Sequence, residues 1–191
     1  MDIDMTLLRK SIETYIDAKD GNRPHLIADA FMPDAELVME LKTNEISFPS
    51  SVSGAAGISR VLVSEFAQQY ENVYTFCIGK PPEDEASFHC HWLVCMTEKS
   101  TRAARVGFGR YQWDCNDVAG KISKLRIIIE EMNTLPGQWS APMLAWARTL
   151  PYPWCPADVL ARGTPAFAPI QNVVRALERL ASDLGVGAPQ S

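Results

Sequence analysis

The sequence predicts an α+β protein: helices gathered at the start, an antiparallel sheet after them, and a helical C-terminal extension. Three observations carry this. Apolar residues recur at helical spacing early in the chain, in Leu8, Ile12, Tyr15 and Ile16 and again in Ile58, Leu62 and Phe66. Runs rich in aromatic and β-branched residues then follow one another between residues 73 and 131. Short turns join them, and sequential strands joined by short turns pair antiparallel. Beyond residue 133 the composition changes: the last 58 residues hold eight of the 13 Pro, three of the five Trp and no Lys.

Taken in order, residues 6–20 form the first helix, capped by Asp4 or Thr6 and stopped at Gly21-Asn22. Pro24 suits the first turn of a short second helix, about 24–31. Met32-Pro33-Asp34 turns the chain into a strand at Glu36–Leu41, and the polar, Ser-rich residues 42–53 read as a loop. Ser53 caps a third helix over 54–70. Strands follow at 73–78, 86–96, 102–115 and 122–131, with a hairpin loop at 116–120. Residues 142–150 and 170–184 look helical, the second with Val173, Val174, Leu177, Leu180, Ala181 and Leu184 on one face. Between them Leu150-Pro-Tyr-Pro-Trp-Cys-Pro156 cannot be regular helix, because proline lacks the donor and restricts its predecessor. The extension carries only seven charged residues, so it must pack onto something: the main domain or a second subunit.

The 191 residues suit one domain with an appendage, divided at 1–133 and 134–191. At 47% hydrophobic and 21% charged residues the chain is an ordinary globular one. A net charge of -5 without a basic cluster argues against nucleic acid, which needs cations to displace counterions. No stretch approaches the roughly 18 apolar residues of a membrane span, and no secretory leader is expected from MDIDMTLLRK. The five cysteines are irregularly spaced and read as reduced, buried thiols of a cytoplasmic protein.

His89 and His91 are the most chemical residues. Their spacing of two puts both on one strand face, with Leu93 and Cys95. The other face, with Phe88, Cys90, Trp92, Val94 and Met96, is the more apolar and should meet the helices. One bulge would reverse the facing. Gly107, Gly109, Tyr111, Trp113 and Cys115 share a face of the next strand, where the glycines allow a sharp bend or close ligand approach. Arg105, Arg110 and Asp114 read as solvated outer-face pairs. Zinc accepts His and Cys, but neither CxxC nor HExxH spacing is present, and no metal or cofactor is expected.

The element order, with Tyr15-Ile-Asp-Ala-Lys-Asp20, Ile27-Ala-Asp-Ala-Phe-Met-Pro-Asp-Ala-Glu-Leu-Val-Met39, Gly54-Ala-Ala-Gly-Ile58, Gly109-Arg-Tyr-Gln-Trp-Asp114 and Gly120-Lys-Ile-Ser-Lys-Leu-Arg126, resembles the nuclear transport factor 2-like superfamily. The members in view are the SnoaL-like polyketide cyclases, ketosteroid isomerase and scytalone dehydratase. The resemblance implies a cone-shaped curved antiparallel sheet packed on three N-terminal helices, the cystatin-like α+β roll. It also implies an apolar cavity open at one end, and a homodimer. Tyr15 matches the tyrosine that positions a substrate oxygen in the isomerase and the dehydratase. The isomerase's general base falls on Met39, which cannot take a proton, and its carboxyl partner near Tyr111. One of the dehydratase's two histidines falls near Phe76; His89 or His91 could stand for the other. Asp17 lies beside Tyr15 as in the dehydratase. The expected site is therefore Tyr15, Asp17, His89 and His91 for chemistry, with Tyr111, Trp113, Phe76 and Met39 around the ligand. The expected ligand is a small apolar or aromatic carbonyl-bearing molecule. The activity is ligand binding, with cofactor-free isomerisation, cyclisation or dehydration as its catalytic form; the alternative is a non-catalytic ligand-binding or protein-interaction module. The extension is either a lid over the cavity or a dimer arm.

Overall fold

A computed structural model describes residues 6–83, 85–116 and 118–186. Helix α1, Thr6–Asp20, buries its stripe of Leu8, Ile12, Tyr15 and Ile16 completely. It stops where expected, at Gly21 and Asn22, the latter in the left-handed region at φ 52°. A 3-10 turn, Pro24–Leu26, leads into α2, Ile27–Ala30. The expected caps at Asp4 and on the Thr6 side chain lie outside the described residues, as does the Leu184 side chain.

Strand β1, Phe31–Leu41, starts earlier than the sequence suggests, and its register shifts between Phe31 and Glu36, around Pro33. The expected loop ends in a short edge strand, β2, Ser51–Ser53. The third helix begins after Gly54, at φ 88°, rather than on a Ser53 side-chain cap. It runs without a break from α3, Ala55–Ser59, through a π-helical stretch, Arg60–Glu65, into α4, Phe66–Gln69. Then come β3, Tyr70–Ile78; β4, Ser87–Glu98; β5, Ala104–Asp114; and β6, Ile122–Leu135.

The sheet has seven strands in the order β2-β1-β6-β5-β4-β3-β7, where β7 is Trp154–Cys155, and it curves without closing. It is mainly antiparallel; β1 with β6 and β3 with β7 are parallel. Its bend has local causes. Register shifts fall in β3 between Glu71 and Tyr74 and opposite β5 between Phe108 and Gly109. A Cβ at Gly109 would collide with the Ile128 carbonyl oxygen and the Trp92 ring, so only glycine lets β5 fold that closely. Of the two uses foreseen for these glycines, they serve the bend: the space beside Gly107 and Gly109 is taken by Met132 and Trp92.

Both sheet faces are apolar, and each has its own core. Inside the curve, α1 and the third helix pack on Trp92, Val94, Met96, Tyr111, Trp113 and Ile127. Outside it, Phe76, Leu93, Cys95, Val106 and Phe108 meet Met143, Trp146, Leu160, Ile170, Val173 and Leu177 of the extension. The extension is built from α5, Ser140–Ala147, then β7, then α6, Ala168–Val186. Trp146 donates from Nε1 to the Leu160 carbonyl at 3.2 Å, and Trp139 stacks on Phe167 at 4.2 Å. The proline-rich segment adds β7 to the sheet edge: Cys77 N donates to Pro153 O and Gly79 N to Cys155 O. No helix among the described residues is long and apolar enough to cross a membrane.

Trp146 is 3% exposed at the centre of the outer core. Trp146→Ala is expected to lower stability by about 3–5 kcal/mol, the usual loss for a large buried aromatic, read as a shift in the urea unfolding midpoint at unchanged slope.

Candidate functional site

The bend leaves a narrow cavity between the inner sheet face and the helices. It offers about 50 Å³ to the centres of water molecules, room for about four waters or one compact molecule. Strands supply Met39, Thr75, Trp92, Val94, Tyr111, Ile127 and Met132; α1 supplies Tyr15 and Lys19, and the third helix Leu62 and Phe66. Ile46 and Phe48, from the loop between β1 and β2, complete the wall. No described residue of the extension lines it.

The lining is apolar with a few donors set into it. The Tyr15 ring packs edge-on against Phe31, Tyr111 and Trp113, at 5.7, 6.2 and 5.4 Å between centroids. The Tyr15 hydroxyl and the Nε1 atoms of Trp92 and Trp113 are buried with no protein partner at hydrogen-bond distance among the described residues. A native interior rarely leaves such groups unpaired. Burial pushes the Tyr15 phenol far above its ordinary range, with the neighbouring Tyr111 hydroxyl opposing the rise, and raises Tyr111 as well. Both therefore stay neutral and act as hydrogen-bond donors, not as bases.

The polar end is built on α1 and β3. Lys19, 7% exposed, donates from Nζ to Thr75 Oγ1 at 2.7 Å and lies 3.1 Å from Asp20 Oδ1. The Lys19 Nζ also sits 4.9 Å from the centre of the Phe66 ring. Asp20 accepts from the Thr75 backbone N–H at 2.7 Å, the Thr75 hydroxyl at 2.8 Å and the Tyr152 hydroxyl at 2.7 Å. Lys19 and Thr75 line the cavity, while Asp20 stands behind them. Such a pair is held by satisfied geometry: removing one partner strands the other charge, at about 3–5 kcal/mol.

Of the expected residues, Tyr15, Tyr111 and Met39 line the cavity, and Trp113 is buried directly against Tyr15. The others lie elsewhere. Asp17 is on the exposed side of α1, paired with Arg23 at 2.7 Å. Phe76 is on the outer face, stacked with Tyr74 and edge-on to Tyr152. His89 and His91 also face outward, in a surface groove with Arg110, Glu130 and Arg179. No bulge falls within β4's pairing with β5, so the alternation from Trp92 and Val94 holds and sets the histidines outward. Arg105 is not a solvated surface cation: it shares the inner parity of Gly107, is 3% exposed and bonds the Glu45 carbonyl beside Ile46.

Sequence reasoning passed over Lys19, Asp20, Thr75 and Trp92. A signal existed for Lys19, which lies four residues after Tyr15 on the same apolar stripe. Thr75 carried none, because a threonine in a strand is ordinary. Among the described residues, no group of three His, Cys, Asp or Glu side chains gathers as a metal site.

Partial burial, and then the nearby Arg110, lower the His91 pKa despite Glu130. The unfolded chain therefore takes up this proton first, near its ordinary 6.5. Stability should fall as pH drops from that value toward the lower folded one. His91→Gln should flatten that part of the profile, read from thermal midpoints between pH 7.5 and 5.

No family model matches the chain, and no curated protein matches its sequence. Solved structures do match in shape. A protein described as NTF2-like, from Burkholderia xenovorans LB400, aligns at 11% identity over 73% of this chain and 96% of its own, with a TM-score of 0.53. A candidate aromatic ring hydroxylase from Novosphingobium aromaticivorans aligns at 18% identity over 69% and 92%, also at 0.53. A protein of ketosteroid isomerase-like fold from Catenulispora acidiphila DSM 44928, solved with trimethylamine, aligns at 14% over 62% and 83%, at 0.50. At these identities the likeness is one of fold. With helices held inside a curved, open sheet of matching shape, the chain has the nuclear transport factor 2-like fold.

Proposed function

We propose that the chain binds a small, largely apolar, carbonyl-bearing molecule in the inner cavity. The observation that carries this is the Tyr15 hydroxyl, fully buried and without a hydrogen-bond partner among the described residues, in a largely apolar hollow where Trp92 Nε1 joins it. A bound carbonyl oxygen would accept from these donors, and the apolar lining would cover the rest of the molecule. The fold is shared with proteins named as candidate isomerases and hydroxylases, which supports a small-molecule role in general terms.

Binding is favoured over proton abstraction by what lines the cavity. It has no imidazole and no carboxylate among its lining residues, and its phenols are held neutral. If a cofactor-free isomerisation, cyclisation or dehydration takes place there, Tyr15 and Tyr111 would serve it as donors to a developing oxyanion. A homodimer, implied by the family resemblance, would use the part of the outer face that the extension leaves open, where Glu40 and Arg126 lie exposed. All five cysteines are buried, which is compatible with a reducing cytoplasm.

Small molecules released from the purified protein and identified by mass spectrometry test the proposal. Leu62→Trp, which fills the cavity, should carry none. Tyr15→Phe should bind the released molecule about 5- to 10-fold more weakly, the loss of one hydrogen bond. A ligand retained equally by all three proteins would remove the cavity from consideration.

A further inference from the structure

We infer that the cavity selects a carboxylate: its ligand is a compact, branched or aromatic monocarboxylic acid, with the anionic head on Lys19 and the apolar tail among Met39, Leu62 and Met132. The inference rests on the cavity being a ligand site and adds the chemical class.

The donor and acceptor inventory leads there. Lys19 has three N–H bonds; Thr75 Oγ1 takes one and the Asp20 contact another, leaving one for the hollow that Lys19 lines. Trp92 Nε1 and the Tyr15 hydroxyl are unmatched. The acceptors, by contrast, are nearly spent. Asp20 is engaged by Thr75 twice, by Lys19 and by Tyr152. The Thr75 hydroxyl accepts from Lys19 while donating to Asp20. A ligand offering N–H or O–H groups would meet only the phenol oxygens and one remaining Thr75 lone pair; one offering acceptors would meet an ammonium, an indole and a phenol.

Charge placement separates an acid from a neutral carbonyl. The ion pair is oriented, with the cation on the cavity wall and the carboxylate behind Thr75, so a bound head group lies nearer the positive end. In a buried site such a field is screened less than in bulk water. The Phe66 ring beneath Nζ holds the cation at the apolar wall. Three methionines in the lining, Met39, Met96 and Met132, are unbranched and adapt to a tail of irregular shape.

Three probes of one shape test this: isovalerate, methyl isobutyl ketone and the hydrocarbon diisopropylmethane. Their affinities for the full chain at pH 7 are measured by titration calorimetry and by tryptophan fluorescence. Isovalerate is expected to bind at least tenfold more tightly than the ketone, and the ketone more tightly than the hydrocarbon. Lys19→Met should bring acid and ketone within about twofold while leaving the hydrocarbon unchanged. Tyr15→Phe, which leaves the ion pair intact, should weaken acid and ketone alike, and it stands in if Lys19→Met fails to fold. A ketone that equals or exceeds the acid in the unaltered protein overturns the carboxylate assignment and leaves the cavity reading in place. Binding of none of the three overturns both.

Discussion

Strands β4 and β5 are apolar on both faces, and the architecture follows from having to cover both. Trp92 and Val94 point into the curve, Leu93 and Cys95 out of it, and all four are buried. An antiparallel sheet with one wet face would alternate apolar and polar residues; this one reads more like the interior strands of a layered α/β protein. The helices shield the concave side. The convex side would be a broad hydrophobic patch without α5 and α6, which explains an extension so poor in charge.

The same bend that demands two covers leaves the cavity. Gly109 lets β5 fold tightly over Trp92, and the ring then occupies part of the space that the curve creates. What is left is narrow, and its polar features come from α1. Tyr15 and Lys19 sit one turn apart on a stripe that is otherwise aliphatic, so the helix delivers a donor and a cation to the same pocket. Buried charge is tolerated there because Thr75 and Asp20 engage two of the three Lys19 N–H bonds and Asp20 balances the charge.

Much of this was legible in the sequence. The spacing of Leu8, Ile12, Tyr15 and Ile16 gave α1 and its buried face, and alternation put Trp92 inward and His91 outward. The expectation of a catalytic histidine needed a bulge in β4 that its pairing with β5 does not contain. Other features lay beyond local pattern. The parallel pairing of β1 with β6 joins residues far apart in the chain. Strand β7 is two residues between prolines, too short to show a period, and forms because the β3 edge offers partners. Asp17 was expected in the site and Asp20 was not singled out. The fold separates them by turning one toward Thr75 and the other toward Arg23 and water.

Tyr152 gives the appendage a say in the chemistry of a carboxylate it reaches from another part of the fold. Its phenol occupies a lone pair of Asp20 Oδ2 that would otherwise face solvent, and Asp20 in turn raises the Tyr152 phenol, beyond the effect of burial, so the proton stays where it is. With that phenol in place, Asp20 is a saturated counter-ion with no vacant site for a transferred hydrogen. Without it, one lone pair of Asp20 Oδ2 would be left to water. The C-terminal segment thus completes the bonding of a carboxylate that the first helix carries.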